Sequence, residues 1–164
     1  MNNRHNPRHH KLGLICCVLL GCVLILSGVG KLFINLPNET EFLQNLAPVF
    51  SLSGWEAELI AYILPWFELL VGLLLVLQIW PQWVALFGCI PLTLCFITNN
   101  VWMIMSGVKY DTCNLCFGAL EKYFGSLSPI QALIIDCILF ILAICIISAG
   151  NGYKFMYGVL ERGK

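Results

Sequence analysis

The chain has 164 residues, is 59% hydrophobic and only 11% charged, and carries a formal net charge of zero. Soluble domains typically hold about 25% charged residues, so the composition excludes an ordinary water-soluble enzyme. Long apolar runs separated by short polar stretches, at a mean hydropathy of +0.84, define a polytopic membrane protein with no room for a separate soluble domain.

In chain order, the basic segment "MNNRHNPRHHK" precedes a first apolar run from about Leu12 to Phe33. That run exceeds the 7–15 residues of a signal-peptide core and lacks an A-x-A site, so a retained helix is expected rather than a cleaved leader. Asn38 followed by Glu41 resembles a helix-capping arrangement, and Phe42, Leu43, Leu46, Val49 and Phe50 recur at helical spacing. They predict a short amphipathic helix lying on the membrane surface. Ser53-Gly54-Trp55-Glu56 is a capping box that opens a second run, about Glu58 to Trp80. A tight turn at Pro81 leads into a third, about Trp83 to Met105, and Ser128-Pro129-Ile130-Gln131 opens a fourth, Pro129 to Ala149. Pro65, Pro81 and Pro91 are tolerated, because neighbouring helices can satisfy the backbone groups that proline frees in a membrane helix.

The expected fold is therefore all-α: a polytopic four-transmembrane-helix bundle with short external interfacial helices. Residues 1–11 form a basic cytoplasmic tail, 12–149 the membrane domain and 150–164 a second cytoplasmic tail. Arg4, Arg8 and Lys11 before the first run, and Lys154, Arg162 and Lys164 after the fourth, set both ends in the cytoplasm by the positive-inside rule. Glu39, Glu41, Glu56 and Glu58 then lie in or beside an external loop, and residues 107–128 form a second external loop. The expected location is the plasma (inner) membrane.

That second loop contains Cys113-Asn114-Leu115-Cys116-Phe117-Gly118. Outside the cytoplasm thiols are not held reduced, so an external CxxC can form or exchange a disulfide. A helix beginning at Cys113 would stabilise a thiolate there and make Cys113 the attacking thiol, with Cys116 resolving. Phe117, Leu120, Tyr123 and Phe124 could add an interfacial turn. The other seven of the nine cysteines, Cys16, Cys17, Cys22, Cys89, Cys95, Cys137 and Cys145, fall within the apolar runs and read as small packing residues. No metal is expected: structural zinc needs four ligands, and His5, His9 and His10 belong to the opposite side of the membrane. A nucleic-acid partner is not expected either. The expected partners are the lipid bilayer and an extracytoplasmic thioredoxin-like or substrate protein.

Few polar residues lie inside the runs: Lys31, Glu68, Asn99, Asn100 and Asp136. At about 1.5 Å rise per residue, all fall in the outer half of the membrane. Intramembrane charges generally pair or face a cavity. The bland reading is a buried Lys31–Glu68 ion pair with the asparagines serving nearby backbone. The functional one is a polar pocket beneath the CxxC that handles protons or a quinone head group, which Trp66, Phe67, Phe96 and Trp102 could line. No covalently bound cofactor is expected, and a quinone is the diffusible one this pocket would suit.

The segments "SGVGKLF", "LPWFELLVGLLLVL" and "CNLCFG" followed by "SPIQALIIDCILFILAI" resemble the MauE/DoxX group of small redox-associated membrane proteins. The resemblance covers about Leu12 to Ile147. Pro65, Glu68 and Gly72 are similar to that group's second-helix pattern, and Lys31 to its first-helix lysine. The methylamine-utilisation branch usually reads Cys-x-Cys-Phe-Gly, whereas Cys113 and Cys116 here are two residues apart, closer to a thioredoxin-type dithiol. What the resemblance implies is a four-helix membrane protein that assists disulfide formation or electron transfer in extracytoplasmic proteins, MauE itself being linked to maturation of the methylamine dehydrogenase small subunit. A non-enzymatic assembly subunit, in which the CxxC is structural or incidental, is the alternative.

Overall fold

The described residues of the computed structural model are 7–32, 54–106 and 128–149, without the side chains of 7–10, 57, 58 and 61. Their regular structure is entirely helical: α1 (Pro7–Leu32), α2 (Gly54–Val76), α3 (Pro81–Met105) and α4 (Pro129–Ala149). Helix α1 starts inside the stretch expected to be a tail, and α2 starts and ends about one turn earlier than the hydropathy pattern suggests. Three helices, α1 from Lys11, α3 and α4, are long and apolar enough to cross a membrane. Among the described residues, α2 carries a shorter apolar helix over Tyr62–Val76, and Glu56 stands in its first turn. Among the described residues, the four expected spans correspond to three helices of spanning length and this shorter apolar one.

Local chemistry explains the boundaries. At the start of α4 the Ser128 N–H donates to Gln131 Oε1 at 2.9 Å, and the Gln131 N–H donates back to Ser128 Oγ at 3.4 Å. This is the reciprocal capping box read from the sequence, followed by proline at the first helical position. The α2–α3 connection is closed by the Ile79 N–H donating to the Leu74 carbonyl at 2.9 Å. It forces Gln78 (φ 57°) and Trp80 (φ 46°) into the left-handed region, at about 1–2 kcal/mol per residue for side chains with a Cβ.

Helix α3 contains a π-helical turn at Ala85–Cys89, just before Pro91. Proline lacks the N–H that would bond the carbonyl of Phe87, and its ring crowds that oxygen. The widened turn absorbs the misfit. Thr93 Oγ1 then donates to the Cys89 and Ile90 carbonyls at 2.8 and 3.1 Å.

Helix α1 packs between α2 and α4, and α4 packs in turn on α3. The tightest crossing is α1 on α2: a Cβ on Gly72 would stand 2.8 Å from the Gly21 carbonyl oxygen, and one on Gly28 would stand 2.8 Å from the Pro65 carbonyl oxygen. Small residues let membrane helices approach this closely and gain dispersion contact. Helices α2 and α3 meet around their connecting turn and the π-turn, where a Cβ on Gly88 would touch Val71 at 3.0 Å, and have almost no contact beyond.

The interior is layered. Near the 77–80 turn it is apolar, built on Leu20, Leu24, Leu75 and Ala143 with Cys16, Cys17 and Cys89. At the opposite end it is polar. The packing reading holds for those three buried cysteines, with Cys95 and Cys145 half-buried. It does not hold for Cys22 and Cys137, which are exposed on the outer faces of α1 and α4; in a uniformly apolar helix nothing in the sequence tells the inward side from the lipid side.

Candidate functional site

The polar layer is assembled from all four helices. Ser27 and Lys31 stand one turn apart on α1, and the Gly28–Pro65 approach beside them brings α2 close enough for Glu68 to reach both. Lys31 Nζ pairs with Glu68 Oε1, and Ser27 Oγ donates to Glu68 Oε2 at 2.8 Å. Glu68 is completely buried, at 0% exposure, while the Lys31 side chain keeps 15%. A carboxylate taken out of water is tolerated only when paired and hydrogen-bonded, and here both oxygens have a donor. The same ammonium lies 4.9 Å from the centre of the Phe96 ring on α3, a cation–π contact that ties the third helix to the pair.

Across the layer, Asn100 Nδ2 on α3 donates to Asp136 Oδ2 on α4 at 2.6 Å. Both residues are buried, and Lys31 and Glu68 lie near enough for their charges to act on the Asp136 carboxyl. The two pairs therefore form one electrostatic unit, one ammonium with two carboxyls, in surroundings where charges interact far more strongly than in water.

Asn99 is different. Its Nδ2 donates weakly to Met103 Sδ at 3.6 Å, but its Oδ1 is buried without a hydrogen-bond partner. Leaving a buried acceptor unsatisfied costs about 1–3 kcal/mol.

The five polar residues singled out from the sequence all fall in this one layer. Two pairs form, Lys31–Glu68 and Asn100–Asp136, and Asn99 stands beside them without joining either. One of the two readings had the asparagines serving nearby backbone; Asn100 donates to a carboxyl and Asn99 to a thioether. Of the aromatic residues considered for a lining, Phe96 turns inward, whereas Trp66, Phe67 and Trp102 are exposed on the outer surface. Ser27 was missed. Its position one turn before Lys31 was the available signal, and a serine in an apolar run is easily taken for a packing residue. Among the described residues, no three His, Cys, Asp or Glu side chains are grouped to hold a metal ion. Cys113 and Cys116, the surface helix expected near residues 42–50 and the interfacial turn after the CxxC lie outside the described residues.

Apolar spanning helices wrapped around a buried ion pair and an amide–carboxyl pair define a multi-pass membrane protein with a polar interior. More particularly, the model of the family described as methylamine utilisation protein MauE matches residues 9–149, and the chain belongs to that family. No curated protein and no solved structure shows a match to it.

Proposed function

We propose that this MauE-family protein is a membrane thiol–disulfide redox protein, working through Cys113 and Cys116 on the extracytoplasmic face. The observation that carries the reading is the pairing of chemistries in one chain: a CxxC inside the family-matched region, and a membrane half stocked with Lys31, Glu68, Asn100 and Asp136. Orientation follows from the basic residues at both ends, with α2 as the fourth crossing. Its 23 residues reach about 34 Å at helical rise, enough for a hydrocarbon core of about 30 Å. The polar layer then belongs to the outer half, on the side of the CxxC loop. The wider likeness to DoxX proteins belongs to this reading as well.

In the reaction, the Cys113 thiolate attacks a partner disulfide, one partner sulfur leaves as a thiol, and Cys116 resolves the mixed disulfide. The partner gains two electrons and two protons, and Cys113 and Cys116 become a disulfide; the reverse sequence oxidises the partner. Electrons pass to or from a membrane quinone or a thioredoxin-like protein. Maturation of an extracytoplasmic substrate such as the methylamine dehydrogenase small subunit is the physiological setting the family suggests.

A second reading, a non-enzymatic assembly subunit, draws on the saturated pairing of Glu68, which a purely structural ion pair would also show. Alkylation of Cys113 and Cys116 at controlled redox potentials separates the two. A pair that titrates reversibly supports the redox protein. A pair that stays reduced throughout, or stays locked below about −300 mV as structural disulfides do, refutes it. A Cys116→Ser protein should trap the partner on Cys113.

A further inference from the structure

Of the two carboxyls in the polar layer, Asp136 is the one that lacks a cation of its own among the described residues. It lies on the inward stripe of α4, at helical spacing from Ala132, Leu139 and Ala143, and is 5% exposed. Glu68 already holds the Lys31 ammonium on one oxygen and the Ser27 hydroxyl on the other. Asp136 has the Asn100 amide on Oδ2 at 2.6 Å, and an amide brings a hydrogen bond but no charge. Among the described residues, Lys31 from α1 and Glu68 from α2 are the charged groups whose fields reach it. Helix α3 adds the neutral Asn100 amide, and its Cys95 thiol stands near Lys31.

The layer therefore sets one ammonium against two carboxyls. With both carboxyls ionised it carries a net negative charge in an apolar interior. An uncompensated carboxylate is strongly disfavoured there and neutralises by taking up a proton. The Asn100 bond allows this without rearrangement, because an amide N–H donates to the carbonyl oxygen of a neutral acid as well as to a carboxylate. That leaves Oδ1 to carry the proton. Glu68 is the poorer site, since protonating it would strand the Lys31 ammonium beside a neutral acid. A metal ion is a poorer occupant than a proton, because no three His, Cys, Asp or Glu side chains among the described residues are grouped to hold one.

We propose that Asp136 is a proton-binding site inside the membrane, loading on Oδ1 and flanked by the Lys31–Glu68 pair. The step is the addition of one proton to one carboxylate, and the layer passes between a singly negative and a neutral state. This goes beyond the thiol chemistry and does not depend on it.

The chain has two aspartates, Asp111 and Asp136, so carboxyl-labelled carbon-13 aspartate in an Asp111→Asn protein marks Asp136 alone. Infrared spectra of this full chain in nanodiscs, taken over a pH series against unlabelled protein, follow that single carboxyl. At about pH 6 an ordinary aspartate, with a pKa of about 3.9, is ionised; the isotope-shifted band is expected to show protonated acid there and to give way to carboxylate as the pH rises. Glu68→Gln removes the opposing charge and leaves the ammonium to favour the ionised form. Asp136 should then lose its proton about one pH unit lower, a tenfold fall in proton affinity. Asn100→Leu withdraws the donor that favours the ionised form and should move the titration the other way. If Asp111→Asn disturbs folding, the labelled parent compared with labelled Asp136→Asn isolates the same band. An Asp136 fully ionised at about pH 6, one that stays protonated in alkaline buffer, or one that titrates identically in both variants overturns the proposal.

Discussion

Removing the Lys31 ammonium exposes how the polar layer is held together. In Lys31→Met the side chain keeps its length, but Glu68, at 0% exposure, retains only the Ser27 hydroxyl at 2.8 Å. Breaking a buried pair from one side costs about 3–5 kcal/mol, because the remaining charge is left uncompensated. Lys31 itself keeps 15% exposure, so less of its own hydration is recovered than for a fully buried cation. Loss of the Phe96 contact adds about 0.5–1 kcal/mol, and the total is expected near 4 kcal/mol. Adding Glu68→Gln removes the stranded charge while keeping an acceptor for Ser27, so the double variant should return to within about 1 kcal/mol of the parent. The measurement is reversible denaturation of the four proteins of this cycle in the same detergent, which isolates the coupling between the two positions. Equal destabilisation of Lys31→Met and the double variant would show that the ion pair does not govern the stability of this layer.

Three further outcomes follow from the packing. Gly72→Ala puts a methyl group 2.8 Å from the Gly21 carbonyl oxygen and should destabilise by about 1–3 kcal/mol; unchanged thermal unfolding would contradict the close α1–α2 crossing. Ser128→Ala removes one side of the α4 capping box and should cost about 1 kcal/mol, whereas Ser128→Asp should be nearly neutral in the same melt. A lipid-soluble maleimide should modify Cys22 and Cys137 well before Cys16, Cys17 and Cys89. Mass spectrometry of partially labelled protein reads the order, and early labelling of Cys17 or Cys89 would contradict the packing.

The capping box at Ser128 and the proline at 129 were legible because both are local: their partners lie within one turn of chain. The same holds for the apolar runs, since crossing a hydrocarbon core is a property of each segment by itself.

The identity and common level of Lys31, Glu68, Asn99, Asn100 and Asp136 were determined by the sequence alone, as rare polar groups at similar depth in apolar segments. Which of them meet was decided only by tertiary structure. Asn99 and Asn100 are neighbours in the chain, yet about 100° of helical rotation sends one to a carboxyl and the other to a thioether. Phe96 faces Lys31, while Trp66, Phe67 and Trp102 face outward. In a soluble helix a polar face would have marked the outside. Here lipid and core are both apolar, so the inward face carries no signature of its own. It is set instead by glycines at 21, 28 and 72, which let α1 and α2 touch and bring Glu68 within reach of Ser27 and Lys31.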